Sequence, residues 1–202
     1  MRSTLMLTIL CGLFFTTVCA SSPAEEKPVP GSQVAREVKV KAGGKEVTVR
    51  YWQFVPKGYD GKKTLPLMLF LHGAGERGNN LEKVKQWGPP KLVRKRKDFP
   101  FVLISPQCPK GTGWKVEELY HLVNHAAGKL KVDRRRMYVT GLSMGGFGSW
   151  NLMDRYPGFF AAGVPICGGG NAAGARNLVN TPIWAFHGDA DGVVKADLSK
   201  LM

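Results

Sequence analysis

Ser143 lies inside Gly141-Leu142-Ser143-Met144-Gly145, a G-x-S-x-G pattern. That spacing sets a serine on a sharp turn between a strand and a helix, where its hydroxyl can act as a hydrolytic nucleophile. A serine hydroxyl is weakly nucleophilic, so it needs a base to take its proton and an acid to orient that base. The flanking sequence suits the turn. The short apolar run Met137-Tyr138-Val139 precedes it, and a helical stretch follows from Met144 to Tyr156, stopped by Pro157-Gly158. Glycines at 141, 145 and 146 answer crowding that a Cβ would not tolerate. The first amides of the helix point at any negative charge that forms at the serine.

His72-Gly73-Ala74-Gly75 directly follows the apolar run 67–71. It is positioned to lend a second backbone amide to a developing oxyanion. Ala74 and Met144 are therefore the expected oxyanion donors, at on the order of 3 kcal/mol of barrier for one such donor. His72 reads as a residue that holds this loop, not as the base. Glu76 and Arg77 read either as substrate contacts or as an ion pair bracing the loop. The third cluster is Phe186-His187-Gly188-Asp189-Ala190-Asp191-Gly192-Val193-Val194. Asp191 is assigned as the acid and Asp189 as a brace for the turn. Trp114, in Gly111-Thr112-Gly113-Trp114, either walls an acyl or sugar pocket or simply packs.

The elements that must position these residues alternate in type. Segments 36–40 and 46–51 alternate polar and apolar residues around Gly43-Gly44, which predicts an antiparallel hairpin with one wet face. Unbroken apolar runs at 65–71, 99–104, 137–139, 161–166 and 182–186 read as buried parallel strands. Helical patterns fall at 81–93, interrupted by Gly88-Pro89-Pro90, at 116–130 and at 144–156. The class is α/β, with a mostly parallel sheet flanked by helices and a hairpin at its N-terminal side.

At 202 residues and 44% hydrophobic, the chain suits one globular domain. The net charge is +14, but the cations are dispersed, and the densest run, Lys91-Leu92-Val93-Arg94-Lys95-Arg96-Lys97, reads as a helix with one solvated face. Nucleic acid is not an expected partner. Residues 1–20 read as an export signal: Arg2, an uncharged apolar stretch at 5–18, and Val18-Cys19-Ala20 at the exit. An uncleaved membrane anchor is the alternative, since the stretch just reaches spanning length. Residues 21–34 then form a flexible tail and 35–202 the folded domain, with the mature protein secreted or periplasmic and no stable membrane insertion. Cleavage leaves Cys108 and Cys167, placed at the ends of strands roughly 14 Å apart at ~4.8 Å per strand. That exceeds the ~7 Å a disulfide spans, so both are expected as free thiols.

Taken together, "LFLHGAGERG", "ISPQCP", "MYVTGLSMGGFGSW", "PICGGG" and "AFHGDADGVV" resemble the α/β-hydrolase superfamily. Within it they resemble the exported branch of carboxylesterases, polyhydroxybutyrate depolymerases, feruloyl esterases and related peptidases. The resemblance implies an α/β-hydrolase fold, with Ser143 as nucleophile, Asp191 orienting the base, and Ala74 and Met144 at the oxyanion. It implies a small-molecule or polysaccharide-linked ester as substrate and no metal or organic cofactor. A serine peptidase, or a non-catalytic relative that binds a ligand or carbohydrate, stays open. Such proteins carry the base histidine downstream of the acid, yet the 11 residues after Asp191 contain none. His121 and His125, four apart on a predicted helix, lack further metal ligands and read as a solvated face. The expectation is a hydrolase lacking its last strand, last helix and base.

Overall fold

The computed structural model describes residues 27–202, so the export-signal reading of 1–20 and the start of the tail at 21–26 lie outside the described residues. The first elements are β1 (Gln33–Ala42) and β2 (Lys45–Phe54), joined by Gly43-Gly44 with both φ angles positive. A two-residue hairpin loop of this hand needs left-handed backbone, which glycine adopts without a steric penalty. Pairing runs antiparallel from Gln33 opposite Phe54 to Ala42 opposite Lys45. The hairpin is thus longer at both ends than the alternating pattern indicates. β1 also takes up the last two residues of the expected tail.

The sheet continues with β3 (Leu65–Leu71), β4 (Val102–Pro106), β5 (Val132–Leu142) and β6 (Ala162–Ile166). Its order is β1-β2-β4-β3-β5-β6, with β4, β3, β5 and β6 mutually parallel and β2 antiparallel to β4. Side chains of a strand alternate between faces, and β3 shows what each face meets. Leu67, Leu69 and Leu71 join a core with α2 (Val116–Lys129) and α3 (Met144–Arg155) through Leu119, Leu122, Val123, Leu152 and Met153. On the other face Phe70 packs with Phe54, Val93 and Leu103 beneath the short α1 (Gly88–Leu92). The apolar run at 99–104 is strand only from Val102. Phe99 instead closes a tight turn, its carbonyl accepting from the Phe101 amide at 2.9 Å.

Residues 182–186 run parallel to β6 but meet it only through bridges at Ile183 and Phe186. The Trp184 and Phe186 amides donate to Gly163 and Pro165, and the Phe186 carbonyl accepts from Cys167. This segment forms the outer edge of the sheet, with Trp184 69% and Phe186 42% exposed. α4 (Asp197–Lys200) follows. Among the described residues no helix is long and apolar enough to cross a membrane.

Candidate active site

Ser143 joins β5 to α3 with φ 53° and ψ −118°, a region that non-glycine residues enter only when the surroundings impose it. The surroundings here are three glycines with no room for a side chain. A Cβ on Gly145 would penetrate the Leu71 carbonyl, one on Gly141 would penetrate the Gly145 carbonyl, and one on Gly146 would stand 2.5 Å from the Ile166 oxygen. The elbow is pinned further by the Ser143 amide, which donates to the Ile166 carbonyl at 2.9 Å and lies 3.3 Å from Cys167 Sγ. Although Ser143 is the N-cap of α3, its side chain caps none of the helix amides. The hydroxyl is therefore uncommitted.

The loop after β3 presses on this turn. Gly73 lies against Leu142, and the backbone of Gly145 packs under the Leu71 and His72 carbonyls. Ala74 opens a 3-10 helix (Ala74–Glu76), and Met144 opens α3. First residues of a helical segment have no partner within it for their N–H, which leaves both amides available. His72 is fully buried. Its Nδ1 faces the Gly73 carbonyl at 2.7 Å, and Nε2 accepts from the Cys108 amide at 3.0 Å. Those partners require hydrogen on Nδ1 only, so the ring is neutral, and burial holds its pKa below the usual value of 6.5. His72 thus ties β3's end to β4's end.

Trp114 completes the tie. Its Nε1 donates to the His72 carbonyl at 3.2 Å, and its ring meets the imidazole edge-on with centroids 4.7 Å apart. With its N–H engaged and its ring against Gly148, Trp114 braces the loop. The Glu76–Arg77 ion pair, one of the two readings of these residues, does not form. Arg77 instead donates from Nε to the Ala74 carbonyl at 3.0 Å and from Nη1 to the Thr112 carbonyl at 2.9 Å. Glu76 is buried, and one of its oxygens would lie 3.1 Å from a Cβ on Gly73. Gln107, not singled out by the sequence reading, donates to the Glu76 and Cys108 carbonyls at 2.7 and 3.1 Å. Its only signal was its place in "ISPQCP".

Asp191 sits past the edge segment. Its Oδ1 accepts from the Val193 and Val194 amides at 2.8 and 3.0 Å, and these bonds hold its carboxyl below the usual range. Asp191 therefore braces the turn itself, the task expected of the exposed Asp189. His187 Nε2 lies 3.7 Å from Asp191 Oδ2 and donates to the Val194 carbonyl at 2.8 Å. Its Nδ1 meets Ser199 Oγ at 2.7 Å, and that hydroxyl also reaches the Gly168 carbonyl. His187 thus anchors α4 and is not available to Ser143. His121 pairs with Glu117 on α2 at 4.0 Å, and His125 lies on the same helix. Hence Ser143 Oγ bonds to none of the four histidines. Cys108 and Cys167 are free thiols, and no metal-ligand cluster occurs among the described residues.

A strained serine turn between strand and helix on a mostly parallel sheet, with an amide-bearing loop beside it, is the architecture of the α/β-hydrolase fold. The chain has the α/β-hydrolase fold, and its solved neighbours include esterases. One, a crystal structure of a thermostable esterase, is 30% identical, superposes with a TM-score of 0.69, and matches 83% of this chain and 50% of its own. An acetyl xylan esterase from Aspergillus awamori shares the fold at 15% identity and a TM-score of 0.61, over 82% of this chain and 76% of its own. By sequence, a bifunctional acetylxylan esterase/xylanase from Neocallimastix patriciarum is 27% identical over 139 residues. The match takes in 64% of this chain and 20% of that enzyme. The chain thus spans a fifth of the enzyme related by sequence and half of the thermostable esterase. No protein-family model matches.

Proposed function

We propose that the chain hydrolyses carboxylic esters, with Ser143 as the acyl-accepting nucleophile. The observation that carries this reading is the backbone of Ser143, forced by three side-chain-free neighbours into a conformation that frees its hydroxyl from the helix it starts. In the proposed reaction Ser143 Oγ attacks the ester carbonyl. The carbonyl electron pair moves onto oxygen and is met by the Ala74 and Met144 amides, and the alkoxide leaves with a proton. Water then releases the acid from Ser143. Asp191, already ionised, is the proposed orienting acid. None of the chain's four histidines is assigned as base. With only oxyanion donors and binding, related enzymes retain about 10³–10⁴-fold over water, so slow turnover is expected of this polypeptide.

The names of the relatives support a polysaccharide-linked ester, such as an acetylated sugar, as substrate. The export reading of residues 1–20 would place the reaction outside the cytoplasm. One observation favours a second reading, a non-catalytic carbohydrate-binding relative: no histidine engages Ser143 Oγ. A fluorophosphonate probe and p-nitrophenyl acetate separate the two. The esterase reading expects labelling at Ser143 and slow hydrolysis that added imidazole, an external base, accelerates, both absent in Ser143→Ala. Absence of labelling with imidazole present would leave the binding reading.

A further inference from the structure

The basic run picked out in the sequence is left unexplained by the hydrolytic site. Residues 83–97 contain Lys83, Lys85, Lys91, Arg94, Lys95, Arg96 and Lys97 and no acid; Glu82 stands just before them and Asp98 just after. All but the partly covered Lys85 are exposed. Lys85 pairs with Glu82 at 2.8 Å, and Lys91 lies 4.8 Å over the Trp87 ring. Among the described residues no carboxylate lies within 4 Å of Arg94, Lys95, Arg96 or Lys97. Only Lys91 of the run lies on α1, and Arg94 to Lys97 follow in the turn beyond it. Pro90 and Val93 are buried, and Gly88 backs directly onto the Phe70 ring. The cations therefore stand on a fixed platform, where Arg94, Lys95, Arg96 and Lys97 repel one another within a Debye length of about 8–10 Å and none is held in an ion pair by the chain's own acids.

Trp87 projects from this platform 46% exposed, beside the cations. An indole face with adjacent ammonium and guanidinium groups matches a sugar ring that carries a carboxylate: C–H bonds lie on the ring, and the carboxylate pairs with the cation. The strip has direction too. Trp87 follows directly on the 3-10 helix over Leu81–Gln86, which touches the Ala74–Glu76 loop at the proposed oxyanion site. Its far end reaches Lys97, whose carbonyl accepts from the Lys57 amide.

We infer that this strip binds the backbone of an acidic polysaccharide, one bearing uronate groups, and leads its ester substituents to Ser143. A nucleic acid would use the cations but has no need of one isolated indole. The inference rests on the proposed esterase reading for its purpose, but not for its measurement, because binding is read without turnover.

Affinity electrophoresis of the full chain, run through gels containing polygalacturonate, glucuronoxylan, neutral arabinoxylan or duplex DNA, tests it. Retardation is expected in the two acidic polysaccharides and not in arabinoxylan. The triple change Arg94→Ser, Lys95→Ser, Arg96→Ser should raise the dissociation constant about tenfold, since three modest exposed pairs are lost. The equal charge change at Lys41, Lys45 and Arg135 should leave it within about twofold. Trp87→Ala should weaken polysaccharide binding and not DNA binding. Ser143→Ala should bind as well as the parent, so loss of hydrolysis alone leaves the inference standing. Equal weakening by both triple changes would overturn it. So would DNA binding as tight as polygalacturonate together with an unaffected Trp87→Ala.

Discussion

His72 shows how one side chain can decide both a loop's shape and its response to acid. Its two ring nitrogens have opposite jobs, one facing the Gly73 carbonyl and the other accepting from the Cys108 amide. Burial disfavours the imidazolium, so below the ordinary value of 6.5 the unfolded chain takes up the proton more readily than the folded one. Stability contributed by this group is full above that pH and declines as pH falls below it. His72→Gln keeps an acceptor near Cys108 but cannot titrate. Urea melts at pH 7.5 and pH 5 should show a smaller acid loss in the variant, together with lower stability at pH 7.5. An unchanged acid loss would show that other groups cause it. The assignment of His72 as a loop holder was legible, because its sequence position placed it before the amide donors. The tie to Cys108 was not, because nothing in "HGAG" says which strand's end lies next to it.

At the scale of elements, the turn between β5 and α3 is determined by missing side chains. Gly145→Ala must drive its Cβ into the Leu71 carbonyl, which is backbone and cannot rotate away. Overpacking of this kind costs about 3 kcal/mol, so the variant should melt well below the parent in a thermal scan. A variant as stable as the parent would mean the turn can open. This element was readable because glycine spacing, an apolar run and a helix stop all agree. The strand at 99–104 was misjudged at its start, since Phe99 and Phe101 look like strand residues but serve the turn before β4. The ion-pair alternative for Glu76 and Arg77 is excluded for a related reason. Opposite charges adjacent in sequence suggest each other, whereas Arg77 finds two carbonyls at fork geometry.

At the scale of the whole molecule, the sheet has two unlike edges. β1 is backed by a full hairpin ladder, while the segment at 182–186 presents Trp184 and Phe186 to solvent. Unpaired strand backbone flanked by exposed aromatics is a template for association. Replacing both Trp184 and Phe186 with Lys should raise the concentration at which light scattering first reports aggregates, and a lack of change would show that this edge is not where copies meet. The mostly parallel α/β sheet followed from alternating strand and helix signals. The weakness of its last strand did not, because an apolar run cannot reveal whether a neighbour will pair with its far side.

Asp191 secures its own bend with one oxygen, through amides only two and three positions ahead. The orientation of the carboxylate is thus inherited from its nearest neighbours, not from the rim of the sheet. A hook of this kind is portable: its second oxygen keeps its aim even if the aromatic border beside it shifts or is re-engineered.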